Sequence, residues 1–196
     1  MDNGAQILAG LAQARVFFRQ ISLMLRTAED MLMEEGWESI WGRRSSNITS
    51  DYLRPERWMP RDIYRFYIAN KEEKDNSSSN GLVIYTGVLL DQEGVWEGFT
   101  EPWITCGAFR FKPDFDIKGF NYWDWVRSAL DDKHEPDGVF HEYVLENEEE
   151  DEELLFQAIM ALPLIRVTEA EVLKQLIIAP LLQKIDEIRQ SEPRVE

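Results

Sequence analysis

Cysteine is almost absent: Cys106 is the only one in 196 residues. A lone cysteine excludes any disulfide within the chain and fits a reducing compartment. Histidine is nearly as scarce, with His134 and His141 alone. They stand seven apart, which is not the i, i+4 spacing that places two imidazoles on one helix face for zinc. Long apolar runs are missing too. The longest, "AIMALPLI" and "LIIAPLL", are each broken by proline and fall far short of a bilayer span. The opening "MDNGAQ" has no basic stretch of the signal-peptide kind. Cytoplasm is the expected location. No phosphate-binding glycine loop, dinucleotide fingerprint, nucleophile elbow or paired zinc cysteines occur.

What is present is acid. The net charge is −16, and it is unevenly spread. Residues 1–74 hold 11 basic and 11 acidic side chains, whereas residues 75–196 hold 10 and 26. Phosphate backbones and anionic membranes are repelled by the second part, and basic proteins are drawn to it. Arg43, Arg44, Arg54, Arg57, Arg61 and Arg65 form a local basic stretch. Nucleic-acid binding is disfavoured by the total charge all the same. Hydrophobic content of 44% with 12% aromatics is that of a folded protein.

The clearest pattern runs through Ile7, Leu11, Ala14, Phe18, Ile21, Leu25, Ala28 and Leu32, spaced alternately by four and three. That is one face of a long helix, widened by Phe17, Met24 and Met31 and stopped by Gly36. The stripe is expected to be buried in the core, with homodimerisation through residues 7–32 as the alternative. After an irregular connection holding Trp41 and Trp58, Pro60 suits the first turn of a short helix through Ile63, Phe66 and Tyr67. "NKEEKDNSSSNG" (70–81) reads as a flexible loop. "LVIYTGVLL" (82–90) and "WITCGAFRF" (103–111) read as paired strands, "FNYWDWVRSAL" as a short helix, and "VFHEYVL" as a third strand. Thr168 and Glu171 make a capping box with Val167 and Val172 as its staple, so a helix starts near Glu169. Pro180 should kink that helix or restart it, and the tail reads as frayed. The expected fold is α+β in a single domain, 1–196: a long N-terminal helix and C-terminal helices on a small, mainly antiparallel sheet.

Residues 146–153, "ENEEEDEE", put seven carboxylates in eight positions. They lack the glycine-centred spacing of a calcium loop and lead directly into "LLFQAIMAL", which suggests the solvated start of a helix. "PDFDIK" (113–118) holds Asp114 and Asp116 too close together for a two-strand nuclease site. Cys106 lies in an apolar run, where a thiol behaves as a small hydrophobe. A pairing of Cys106 with His141, or a set of His134, His141, Glu135, Asp137 and Glu142, is the only catalytic constellation on offer. No cofactor and no metal site is expected.

Seven tryptophans are many for this length. Trp96, between Gly94 and Gly98 and among Glu93, Glu97 and Glu101, has the surroundings of an exposed anchor for a basic surface. With Glu148, Glu149 and Glu150 these are the candidate partner-binding residues. The expected function is therefore that of a non-catalytic acidic interaction protein binding a basic protein, as an inhibitor, immunity-type neutraliser or nucleic-acid mimic. The alternatives are a small metal- or carboxylate-dependent hydrolase or nuclease, and a self-associating structural subunit.

Overall fold

The computed structural model describes residues 3–40, 44–46, 60–69, 81–90, 99–112, 126, 136–144 and 154–190. The chain opens with helix α1 (Asn3–Glu34) and continues through β1 (Trp37–Ser39), β2 (Arg44–Ser46), β3 (Asp62–Ala69), β4 (Leu82–Leu89), β5 (Trp103–Phe111), β6 (His141–Val144) and β7 (Leu154–Pro163). A 3₁₀ turn, Leu164–Arg166, leads into α2 (Ala170–Leu173), a π-helical turn (Lys174–Ile178) and α3 (Ala179–Gln190). The strands form one sheet in the order β1-β3-β4-β5-β7-β6, with β2 also on β3. Every pairing among the described residues is antiparallel. The architecture is the α+β one expected from sequence. Among the described residues no helix is long and apolar enough to cross a membrane.

Residues directly opposite in an antiparallel ladder share a face, so the register sorts the core into two layers. Tyr67, Ile84, Cys106 and Met160 fall on the face packed by Ala28, Leu32, Leu173 and Ile177 of the helices. Phe66, Tyr85, Phe109 and Ile159 point the other way into an aromatic layer, where Val126 is also buried. Each layer carries a satisfied buried hydroxyl. Tyr67 shares a hydrogen bond with Thr86 at 3.2 Å on the helix face. Tyr85 meets Thr105 at 2.8 Å on the far face, and Thr105 donates to the Met160 carbonyl. Gly107 allows the tight approach of β7: a Cβ there would stand 2.4 Å from the Ala158 carbonyl oxygen and 2.6 Å from the Tyr85 ring.

Two expected helices are strands. Residues 62–69 form β3 rather than a helix after Pro60, and the residues after the acidic run form β7 rather than a helix. The cause is common to both. Strands covered on both faces have no polar side, so "DIYRFYIA" and "LLFQAIMALP" lack the alternation that identifies a half-buried strand. Ile63, Phe66 and Tyr67 then mimic a helical spacing by coincidence, as do Leu154, Leu155, Ala158 and Ile159. The acidic residues 146–153, the "FNYWDWVRSAL" segment apart from Val126, the 70–81 loop apart from Gly81, and the tail from 191 lie outside the described residues.

The C-terminal helix begins as expected but by other chemistry. Its N-cap is Glu169, with no side-chain hydrogen bond at the cap, and the Glu171 carboxylate accepts from Gln175 Nε2 at 2.8 Å instead of closing a box. Pro180 has the effect anticipated. Directly before it the helix widens into the π turn, where the Ala179 N–H donates to the Lys174 carbonyl. A proline ring in an unbroken α-helix would collide with the carbonyl four residues back. Gly36, at φ 86°, ends α1 in a left-handed conformation open to glycine at no steric cost.

The long stripe of α1 is only half used. Ile21, Leu25, Ala28 and Leu32 are buried against the sheet and the C-terminal helices. Ile7 and Leu11, on the same stripe, are 64% and 52% exposed, and Leu8 beside them is 69% exposed. Phe18 is half-buried rather than a core side chain. The expectation of burial along the whole stripe therefore fails for its first half. Arg65 of β3 pairs with Glu29 of α1 and donates to Ser39 Oγ, which anchors the second half.

Truncation should divide the helix accordingly. Leu25→Ala or Leu32→Ala is expected to cost about 2–5 kcal/mol, as in a filled core, whereas Leu11→Ala in dilute solution should stay within about 0.5 kcal/mol. Urea unfolding of the variants measures this, and equal losses at Leu11 and Leu25 would contradict the overhang.

Candidate functional site

Strand alternation decides the thiol reading first. Cys106 stands opposite Met160 and so belongs to the helix-facing layer, whereas His141 stands opposite Ile159 on the far face. The two side chains leave opposite sides of the sheet and cannot form a nucleophile–base pair. The Cys106 sulfur is buried, with the Ile177 carbonyl 4.0 Å away. Burial pushes the thiol's pKa far up, so the thiolate is not populated at neutral pH. This is the small buried hydrophobe anticipated for Cys106.

His141 has a different neighbour. Its Nε2 lies 3.5 Å from Asp137 Oδ1, across the turn made by Gly138. The same oxygen accepts from the Val139 N–H at 2.8 Å. The slight burial of Asp137 opposes ionisation, but the Val139 and His141 hydrogen bonds outweigh it and leave the carboxyl below its usual pKa. Both side chains are about a third or more exposed. The adjacent Glu142 does not join them, since the next residue on a strand faces the other way. It meets Lys184 of α3 instead. The carboxylate and imidazole that looked clustered in sequence are thus split across the sheet. Among the described residues no group of three or more potential metal ligands assembles; His134 and Glu135, like Asp114 and Asp116, lie outside them.

Lys184 is the most enclosed cation of the C-terminal helices. It contacts Glu142 and Glu187, with 14% of its side chain exposed. Burial alone would favour the neutral amine, but the two carboxylates prevail and raise its pKa above the ordinary 10.5. Around it a recess of about 280 Å³ is lined by Arg110, Phe156 and Ile188 as well. The arrangement is a staple from β6 to α3, with its cation already matched by acids. A second, larger groove of about 520 Å³ lies between α1 and the β7–α2 connection, lined by Phe17, Leu23, Met24, Ile165 and Leu173 among others. Leu23 and Ile165 on its rim are 55% and 78% exposed. Sequence reasoning missed this groove, because Ile165 lies in a short connection with no periodicity to assign it a side.

Of the residues expected to bind a partner, Glu93, Trp96, Glu97, Glu148, Glu149 and Glu150 lie outside the described residues. Glu101 is described and half-buried, just before Pro102, whose carbonyl accepts from the Leu164 N–H at 2.8 Å. Trp37 and Trp103 are core side chains, and the Arg189 guanidinium lies 5.4 Å from the centre of the Trp37 ring. Of the local arginines, Arg65 is turned to Glu29. No family model matches the chain, and comparison with curated proteins and with solved structures finds no match either.

Two outcomes follow from these environments. Native protein should react with an aromatic disulfide reagent far more slowly than urea-unfolded protein, by orders of magnitude; equal rates would mean Cys106 is reachable. The raised pKa of Lys184 makes its ion pairs fully stabilising below pH about 10, with the contribution lost as pH rises through the folded-state value. Lys184→Gln should remove that alkaline component and cost about 1 kcal/mol or less at pH 7. Identical alkaline unfolding of variant and wild type would contradict the staple.

Proposed function

We propose that the chain is a non-catalytic interaction protein whose acidic surface binds a basic protein partner. The observation that carries the reading is the segregation of charge. Residues 3–28 contain Arg15, Arg19 and Arg26 and no carboxylate, so −19 resides on the remainder of the chain. A field of that size raises the encounter rate with a basic surface and repels nucleic acid and anionic lipid. Glu93, Trp96, Glu97 and Glu101, with Glu148, Glu149 and Glu150, are the proposed contact residues, Trp96 acting as the anchor. Roles as an inhibitor, an immunity-type neutraliser or a nucleic-acid mimic use the same physics. The metal- or carboxylate-dependent hydrolase or nuclease alternative would draw on Asp137 and His141, which meet at the surface.

A second reading, self-association through residues 7–32, is favoured by one structural observation: the apolar stripe of α1 continues past the body with Ile7, Leu8 and Leu11 more than half exposed. Patches of this kind on a folded monomer are commonly interaction sites.

The principal reading is tested by capturing the partner from the native cell and measuring both rate constants across salt. Association should slow steeply as the Debye length shrinks from about 30 Å at 0.01 M salt to about 8 Å at 0.15 M, with dissociation little changed. Trp96→Ala should shorten the lifetime of the complex instead. An association rate indifferent to salt would count against an acidic docking surface, and turnover of a substrate lost in His141→Ala would replace the reading with the enzymatic one.

A further inference from the structure

We infer that the overhanging half of α1 is the self-association face, and that its occupant is the same half-helix of a second copy, packed antiparallel. The inference rests on the second reading above and narrows it: the stripe residues Ile21, Leu25, Ala28 and Leu32 are already buried within the chain, so the stripe of residues 4–18 is what remains for a partner.

The alternating spacing of the stripe assigns heptad positions, with Leu11 and Phe18 at a, and Ile7 and Ala14 at d. In an antiparallel pair a meets d of the other chain. Ile7 then lies opposite Phe18 of the second copy and Leu11 opposite its Ala14, each contact occurring twice. The match is large against small at the centre and large against large at the ends. The self-complementary layers are what a two-fold interface requires.

Charge selects the same arrangement. The overhang, residues 4–18, carries Arg15 and no acid, and the rest of the chain carries −17. Parallel pairing would bring two strongly acidic bodies side by side. Antiparallel pairing sets Ile21 opposite Gly4 of the second copy, so the first buried residues of the two bodies stand about 25 Å apart along the axis at 1.5 Å per residue. That is about three Debye lengths at physiological salt. The arginines do not confront one another, since Arg15 falls opposite Gly10 and Arg19 opposite Gln6. A basic protein is the wrong occupant for this segment, which is itself positive.

The area suffices. Ile7, Leu8, Leu11 and Phe17 are 64%, 69%, 52% and 36% exposed. With Phe18 they offer on the order of 500 Å² per copy, or about 1,000 Å² for the pair, the lower bound of a specific interface. A half-helix containing Gly4 and Gly10 and projecting into water is marginal by itself, so pairing also supplies the order that the sequence does not.

Sedimentation equilibrium of the purified chain alone, from about 1 to 100 μM, tests this. A dimer is expected at the upper end. Leu11→Glu should weaken it at least 100-fold while circular dichroism and urea unfolding of the monomer stay unchanged, because Leu11 is more than half exposed and outside the buried core. Ile7→Lys and Phe18→Glu should each be monomeric, and their mixture should recover heterodimers, since position 7 faces position 18 only in the antiparallel register. A wild type that is monomeric throughout, a dimer indifferent to Leu11→Glu, or a mixture that fails to recover would overturn the inference. So would a monomer that instead floats with vesicles of phosphatidylcholine and phosphatidylserine, which would assign the helix to a lipid surface. Because no other protein is present, a negative result leaves the basic-partner reading standing, and that reading fails only in the salt-dependent binding experiment.

Discussion

Burial of both faces of one antiparallel sheet is the constraint on which the rest of the structure depends. β4, β5 and β7 form its centre, and their side chains are almost uniformly buried. Such a sheet needs cover on two sides. The second half of α1 and the helices from Ala170 onward cover one side, and on the other the sheet's aromatic layer is buried together with Val126, with Ile40 and Phe99 packed against it. The exclusion of a Cys106–His141 pair, the divergence of His141 from Glu142 and the staple at Lys184 all follow from which face a given register position occupies. In this fold, parity along a strand decides which residues can share chemistry.

The same constraint explains why α1 does not spend its whole stripe on its own core. The sheet is only as long as its strands, eight to ten residues at the centre, and at about 3.3 Å per residue it spans roughly 30 Å. A helix of 32 residues is about 48 Å long at 1.5 Å per residue. The helix is longer than the strands, and it is the N-terminal part of its stripe that is exposed. Its apolar side chains are therefore either a stability cost in water or the complement of something else, and the unbroken heptad spacing favours the latter.

The long helix, the strands 82–89 and 103–111, the strand at His141 and the helix start near Glu169 were legible from sequence, because each shows a period, a cap or a β-rich run in isolation. β3 and β7 were not. Both lie in the sheet with apolar side chains on each face, and helical spacing among Ile63, Phe66 and Tyr67 or among Leu154, Ala158 and Ile159 is then accidental. The acidic run misled for a related reason: carboxylates before an apolar stretch fit a helix dipole, and nothing local reveals that Leu154–Pro163 will be claimed by two neighbouring strands. At the site level, the inert character of Cys106 was legible from its apolar context, whereas the partition of Asp137, His141 and Glu142 between two faces required the register. The break between the buried and exposed halves of α1 was invisible, since the stripe itself is continuous.

The central claim, that one stripe serves the chain's own core and then a second copy, is tested most directly by amide hydrogen exchange along α1 at several protein concentrations. Residues 21–34 should be protected at every concentration, because their cover is intramolecular. Residues 4–18 should exchange freely in dilute solution and gain protection as concentration rises, in step with dimer formation. Exchange over residues 4–18 that stays the same across the concentration range would contradict the account.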